Sequence, residues 1–189
     1  MAMRFFAKRA RRQVAIPSCA CAKLLAVALL AAYTAAAAQP SHPLLNRPVP
    51  EFVQPDLNGR RIDLKSYRGQ VVLLTFWATW CAPCQIEMPR FVKWQRRYGP
   101  SGLQIVGISM DDDAAPVRDL CGKNAVNYPI VMGDPRLAMR YGGVLGLPLT
   151  YLIDRGGRIR ARFQGDADLQ AMEDEMTALL RKQKSVTSH

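Results

Sequence analysis

Histidine is scarce in this chain, with only His42 and His189 among 189 residues. Within residues 39–189 a Cys-x-x-Cys pair at Cys81 and Cys84 therefore has only Cys121 and two remote imidazoles with which to complete a four-ligand zinc centre, which argues against one. The acidic triplet Asp111-Asp112-Asp113 lacks the glycine and distal glutamate of a calcium loop. Its expected role is to cap a helix near residues 114–125, where carboxylates face the positive end of the helix dipole. No basic stripe is interleaved with aromatic residues, so the usual footprint of nucleic-acid binding is missing. There is no internal repeat, and 49% apolar with 22% charged residues suits one globular domain.

Acidic residues are also absent before Gln39, where Arg4, Lys8, Arg9, Arg11, Arg12 and Lys23 precede the uncharged run LLAVALLAAYTAAAA. That run has fifteen residues, short of the roughly twenty a membrane helix wants. Ala36 and Ala38 offer a small-residue cleavage site, so residues 1–38 read as a secretory signal peptide, with an uncleaved anchor as the alternative. Cys19 and Cys21 precede the run and are read as bystanders. Without the leader's six cations the formal +11 falls to +5, a mildly basic surface on residues 39–189.

What the chain does have is FWATWCAPCQIEMP at residues 76–89. The strand-forming run VVLLTFWA (71–78) enters it and a helix expected from Ala82 to about Tyr98 leaves it, so both sulfurs should lie at a helix N-terminus. Unpaired N–H groups and the helix dipole favour a thiolate there, and Cys81 is expected to be the more exposed, nucleophilic thiol. Cys84, on the first turn, can resolve a mixed disulfide formed by Cys81. Pro83 suits a helix start because its missing N–H has no intrahelical partner there. An inert structural disulfide is the bland alternative, and the strand-motif-helix context argues against it.

Before the motif, Asn58-Gly59 signals a hairpin flanked by Phe52, Leu57, Ile62 and Leu64. After it come an expected strand at 103–110, a short apolar segment at 129–133, a small helix at 135–141, a hairpin turning at Arg155-Gly156-Gly157, and a helix from Ala167 to Arg181. The helix after the motif is expected to kink at Pro89. Alternating strands and helices make an α/β domain.

Residues 45–182 resemble the TlpA-like (ResA/DsbE-type) thiol-disulfide oxidoreductases of the thioredoxin superfamily, through FWATWCAPC, EMP, IVGISMDD, YPIVMGD, GLPLTYLID and GGRI in that order. The resemblance implies a thioredoxin-like fold, a central mixed β-sheet flanked by helices, with an N-terminal β-hairpin extension. It implies a redox-active Cys81-Cys84 pair and no other cofactor. Pro148 alone could be an ordinary trans turn proline; the resemblance implies a cis bond facing the dithiol, with the Leu147 backbone open to an extended substrate. Glu87, three residues after Cys84, is either a solvated helix residue or a buried acid exchanging protons with the resolving thiol, and the resemblance favours the latter. Thr75 stands where thioredoxins carry a buried aspartate. Trp80 is expected to touch partners and Trp77 to pack beneath the motif, while Cys121 is read as a buried small hydrophobe.

The resemblance further implies a protein exported to the periplasm that reduces protein disulfides, as in cytochrome c maturation or copper-site assembly. A membrane thiol-electron donor would recharge it, and its membrane contact would run through the N-terminal segment only. A disulfide-donating oxidase uses the same chemistry in reverse but usually carries a large helical insertion before the proline. A copper-binding assembly factor wants three residues between its cysteines and a downstream histidine, and a peroxiredoxin wants a different threonine spacing.

Overall fold

The structure, a computed structural model, describes residues 42–182. The leader expected over residues 1–38, with Cys19 and Cys21, lies outside the described residues, as does His189. The elements run β1 (Val53–Pro55), β2 (Arg61–Asp63), a 3-10 turn (Leu64–Tyr67), β3 (Val71–Trp77), α1 (Ala82–Tyr98) and a second 3-10 turn (Gly99–Ser101). They continue with β4 (Leu103–Ser109), α2 (Ala114–Lys123), β5 (Ile130–Met132), α3 (Pro135–Arg140), β6 (Leu149–Ile153), β7 (Ile159–Gln164) and α4 (Leu169–Arg181).

Five strands form one mixed sheet in the order β5-β4-β3-β6-β7. β3 pairs in parallel with β4 and antiparallel with β6, and every one of its seven residues is buried. Burial on both faces explains why its composition is apolar except at Thr75, since no position faces water to require a polar residue. Val71, Leu73 and Trp77 pack with Met88, Phe91 and Trp94 of α1 and with Met172 and Met176 of α4. Val72, Leu74 and Phe76 point to the other face, against Val49, Phe52, Ile62, Leu137 and Tyr141. That second layer is built largely by the N-terminal extension. Pro48 bridges to Arg158 beside β7, whereas Asp56 bridges to Val131 on β5, so the extension crosses the sheet from one edge to the other.

The expected hairpin is present, with β1 and β2 antiparallel and Gly59 at φ 78° in its turn. Its organising residue is one the apolar pattern did not single out. Asp56 is buried, and its carboxylate accepts from Asn58 N (2.8 Å), Arg60 N (2.9 Å) and Arg60 Nε (2.9 Å). Burial alone would push this carboxyl up; the Arg60 and Asn58 donors and the Arg60 charge outweigh it and hold the group below its usual 3.8. Leu57 N then donates to Ile130 O (2.9 Å), capping the exposed edge of β5 with the hairpin.

α1 spans Ala82–Tyr98 as expected from the sequence, with Pro89 inside it. Other details differ from the sequence expectations. α4 begins at Leu169 rather than Ala167, because the Asp168 side chain accepts from Gln170 N and Ala171 N and makes it the N-cap. Of the acidic triplet only Asp113 caps α2, accepting from Ala115 N; Asp111 is turned to a different task.

Replacing Asp56 with alanine strands the donors of the hairpin turn and should cost about 2 kcal/mol in urea unfolding at pH 7. Because the folded-state pKa lies below 3.8, this stabilisation exists above that value and disappears as pH falls through the folded pKa. The gap between wild type and variant should therefore narrow in strong acid. A gap that persists unchanged there would mean that Asp56 acts through packing rather than through its charge.

Candidate active site

β3 ends at Trp77, and three residues, Ala78, Thr79 and Trp80, carry the chain to Cys81, the N-cap of α1. Cys81 and Cys84 are joined as a disulfide, and the Cys84 N–H donates to Cys81 Sγ at 3.3 Å. Pro83 occupies the first turn of α1, as its missing donor favours. Cys81 is 5% exposed and Cys84 3%, so the expected difference in access is small in this oxidised state. The asymmetry between the sulfurs lies in hydrogen bonding and in position on the helix. Cys81 Sγ sits at the dipole's positive end and takes a backbone donor.

The β3–β6 register sets Phe76 opposite Leu149, which places Leu147 and Pro148 at the same end of the sheet as the Cys81 loop. The Leu147–Pro148 bond is cis. Pro148 is buried and its carbonyl accepts from Gly165 N (2.9 Å). Leu147 is half-buried and packs against both core clusters, one of which contains Cys81 and Cys84. Among the described residues no hydrogen bond engages the Leu147 backbone. Trp77 is buried while Trp80 stands 70% exposed beside the cysteines, with Ile86 and Leu145 also exposed.

Glu87 follows Cys84 by three positions on α1, a spacing that puts both side chains on one helix face. It is buried, and its Oε2 has no hydrogen-bond partner among the described residues. Burial first, and then the nearby Asp166 charge, push its carboxyl up from 4.5 to about 7. A group with that pKa gives and takes protons at neutral pH. Asp166, in the turn after β7, had no signal in the sequence that tied it to this site.

The position of the thioredoxin aspartate is filled by Thr75, which is buried and accepts from Thr150 Oγ1 at 2.9 Å across the β3–β6 pair. Cys121 is half-buried on α2, and burial, followed by the Asp111 charge, pushes its thiol up to about 11. That thiol is a poor nucleophile near neutrality. Among the described residues no cluster of His, Cys, Asp or Glu could hold a metal ion.

A strand, a helix-capping cysteine pair and a cis-proline meet at one sheet end, an arrangement able to carry out thiol-disulfide exchange. The sequence profile of the AhpC/TSA family matches residues 45–162. Thiol-disulfide oxidoreductase ResA of Bacillus subtilis (strain 168) is 31% identical over 130 residues, covering 69% of this chain and 73% of the relative. The ResA of Geobacillus thermodenitrificans is likewise 31% identical, covering 69% and 75%. The chain belongs to the AhpC/TSA family, as a ResA/DsbE-type member of the thioredoxin superfamily.

Solved structures concur on the thioredoxin-like fold. A protein described as thiol:disulfide interchange protein DsbE, from Chlorobium tepidum, superposes with a TM-score of 0.65 at 29% identity, covering 70% of this chain and 95% of that one. A secreted thiol-disulfide isomerase from Corynebacterium glutamicum gives 0.64 at 26% identity, covering 70% and 84%. The chain is thus a thiol-disulfide oxidoreductase of the ResA/DsbE type.

The raised pKa of Glu87 has a consequence for stability. A carboxyl that holds its proton more tightly when folded favours the fold below 4.5, and this advantage is lost as pH rises through about 7. Glu87→Gln should therefore unfold at higher urea than wild type at pH 9, by on the order of 2–3 kcal/mol, and match it below pH 4.5. Equal stability at both pH values would show that the carboxyl is not desolvated.

Proposed function

We propose that this oxidoreductase reduces protein disulfides outside the cytoplasm, with Cys81 as the attacking thiol and Cys84 as the resolving one. The observation that carries the assignment of roles is the Cys84 N–H directed at Cys81 Sγ at the N-terminus of α1. In the reduced protein that donor and the helix dipole stabilise negative charge on Cys81. The Cys81 thiolate attacks one sulfur of a substrate disulfide, the substrate S–S bond breaks, and its other sulfur leaves as a thiolate that takes up a proton. Glu87 accepts the proton of Cys84, whose sulfur attacks Cys81 in the mixed disulfide. The Cys81–Cys84 bond forms, the substrate leaves with both thiols free, and two electrons have passed to it. An external dithiol, in our reading a membrane thiol-electron donor, then returns two electrons to the enzyme.

Side-chain charge supports the reducing direction, against the opposite pull of the helix terminus. The residues between the cysteines, Ala82 and Pro83, carry no cation to stabilise a thiolate, and the Glu87 carboxyl, ionised in part at neutral pH, lies on the same helix face as Cys84. Negative charge near the dithiol destabilises its reduced, thiolate-bearing form, and a less stable reduced form is a stronger reductant. A polypeptide substrate suits the exposed Trp80, Ile86 and Leu145 and the unengaged Leu147 backbone, which can pair with an extended segment. Paired cysteines of apocytochrome c or of copper-site assembly proteins are the substrates we favour. Export is supported by the basic, apolar leader before Gln39 and by the secreted relative. Among the described residues no helix is long and apolar enough to cross a membrane. In our reading any contact with the membrane runs through the N-terminal segment, whose basic region and uncharged run support it.

Reduced protein mixed with an oxidised Cys-x-x-Cys-His peptide tests this assignment. Both peptide thiols should appear as the Cys81–Cys84 disulfide forms. Cys84→Ser should stall as a mixed disulfide through Cys81, and Cys81→Ser should give neither product nor adduct. A wild-type protein that leaves the peptide oxidised, or a stable adduct through Cys84, would overturn it.

A further inference from the structure

Asp111 lies just past β4 and was grouped by sequence with its two neighbours as a helix cap. Its carboxylate instead reaches the loop in front of the cysteines. It accepts from Thr79 N (3.0 and 3.2 Å) and Thr79 Oγ1 (2.5 Å), and from Ser109 Oγ (2.8 Å). On the other side, Gln85 of α1 donates its side-chain amide to Thr79 O at 2.6 Å. Thr79 is thereby held through its N–H, its hydroxyl and its carbonyl, two residues before Cys81. Met110 N donates to Trp77 O (2.8 Å) and extends the β3–β4 pairing to the base of this loop. The loop between β3 and α1 is thus anchored to the neighbouring strand and to the first turns of α1.

Resting on the dithiol assignment above, we propose that Asp111 is a positioning residue for the thiol chemistry, acting through Thr79 to hold the Trp80-Cys81 segment where Cys81 meets the Cys84 N–H. Among the described residues neither Asp111 nor Thr79 hydrogen-bonds a sulfur; the effect passes through the two peptide bonds from Thr79 to Cys81. A loop released from Asp111 would let Cys81 swing away from the helix terminus and lose part of the donor and dipole field that ionise it. Hydrogen bonds to a charged acceptor are the stronger kind, which makes this carboxylate a suitable anchor for a loop that would otherwise be half exposed. The carboxylate charge also acts directly, and in the opposite sense, because a negative group near Cys81 opposes its ionisation. The two effects separate by mutation. Thr79→Val removes the hydroxyl donor and keeps both shape and charge, whereas Asp111→Asn removes the charge and replaces one acceptor oxygen with an amide.

The measurements are the pH profile of Cys81 alkylation in the reduced protein and the rate of exchange with oxidised glutathione, with urea unfolding alongside. Thr79→Val should move the alkylation midpoint upward and slow exchange by about fivefold, a loss typical of one charge-assisted hydrogen bond, with Thr79→Ser staying within about twofold of wild type. Asp111→Asn, which loses the charge but keeps an oxygen to accept from Thr79, should slow exchange less than Asp111→Ala, and adding Thr79→Val to Asp111→Ala should cost nothing further, since the threonine hydroxyl then has no acceptor to lose. Asp56→Ala, which weakens the fold elsewhere, should leave both readouts unchanged while the protein remains folded. A Thr79→Val protein with the wild-type midpoint and rate, or losses that multiply in the double variant, would overturn the positioning role. Wild-type protein that fails to exchange at all would instead overturn the dithiol assignment, so the two failures are distinguishable.

Discussion

β3 pairs along its full length with β4, from Val71 opposite Leu103 to Trp77 opposite Ser109, and with β6 from Val72 to Phe76. Every residue of β3 is buried, and a shift of one residue would exchange its two apolar faces and break both cores at once. The functional parts inherit their positions from this register. The Cys81 loop leaves the C-terminal end of β3, Asp111 follows the C-terminal end of β4, and the cis Leu147–Pro148 bond precedes β6, all at one end of the sheet. Ligand chemistry in open α/β sheets gathers at the carboxyl ends of parallel strands because loops from neighbouring strands converge there. Here what converges is a disulfide, a carboxylate-anchored threonine and an unengaged strip of backbone.

Opposing electrostatic influences meet at the dithiol. The N-terminus of α1 and the Cys84 N–H favour a thiolate on Cys81, while the carboxyl of Glu87, made reluctant to ionise by burial and by Asp166, sits one helical turn from Cys84. In the proposed reaction Cys81 is the nucleophile and Cys84 has beside it a carboxyl that can take a proton near neutral pH. Cys121 lacks both provisions, and its thiol stays protonated.

The sequence disclosed what is local and periodic. The apolar run of β3, the Cys81-Cys84 spacing with Pro83 between, and the Asn58-Gly59 turn each carry their structural consequence within a few residues. Glu87 was within reach because helix spacing ties it to Cys84. What stayed hidden depends on contacts between segments far apart in the chain. Asp56 organises a turn next to it but docks on β5, and Asp166 meets Glu87 only after the sheet has closed. Asp111 looked like a helix cap because two more aspartates follow it, and only Asp113 proved to be one. Its position at the end of the next strand after the motif was the available signal, because that strand pairs with β3 and its end shares the site with the motif loop. The path of the N-terminal extension across one face of the sheet was not legible either, since its few apolar residues do not say which edge each end reaches.

The central claim is that this dithiol is poised to give electrons rather than to take them. Equilibrating residues 39–189 with graded thiol-disulfide buffers and trapping the free thiols of Cys81 and Cys84 gives the reduction potential directly. A value near or below about −230 mV agrees with a reductant, and one near about −120 mV, the range of a disulfide donor, contradicts the account.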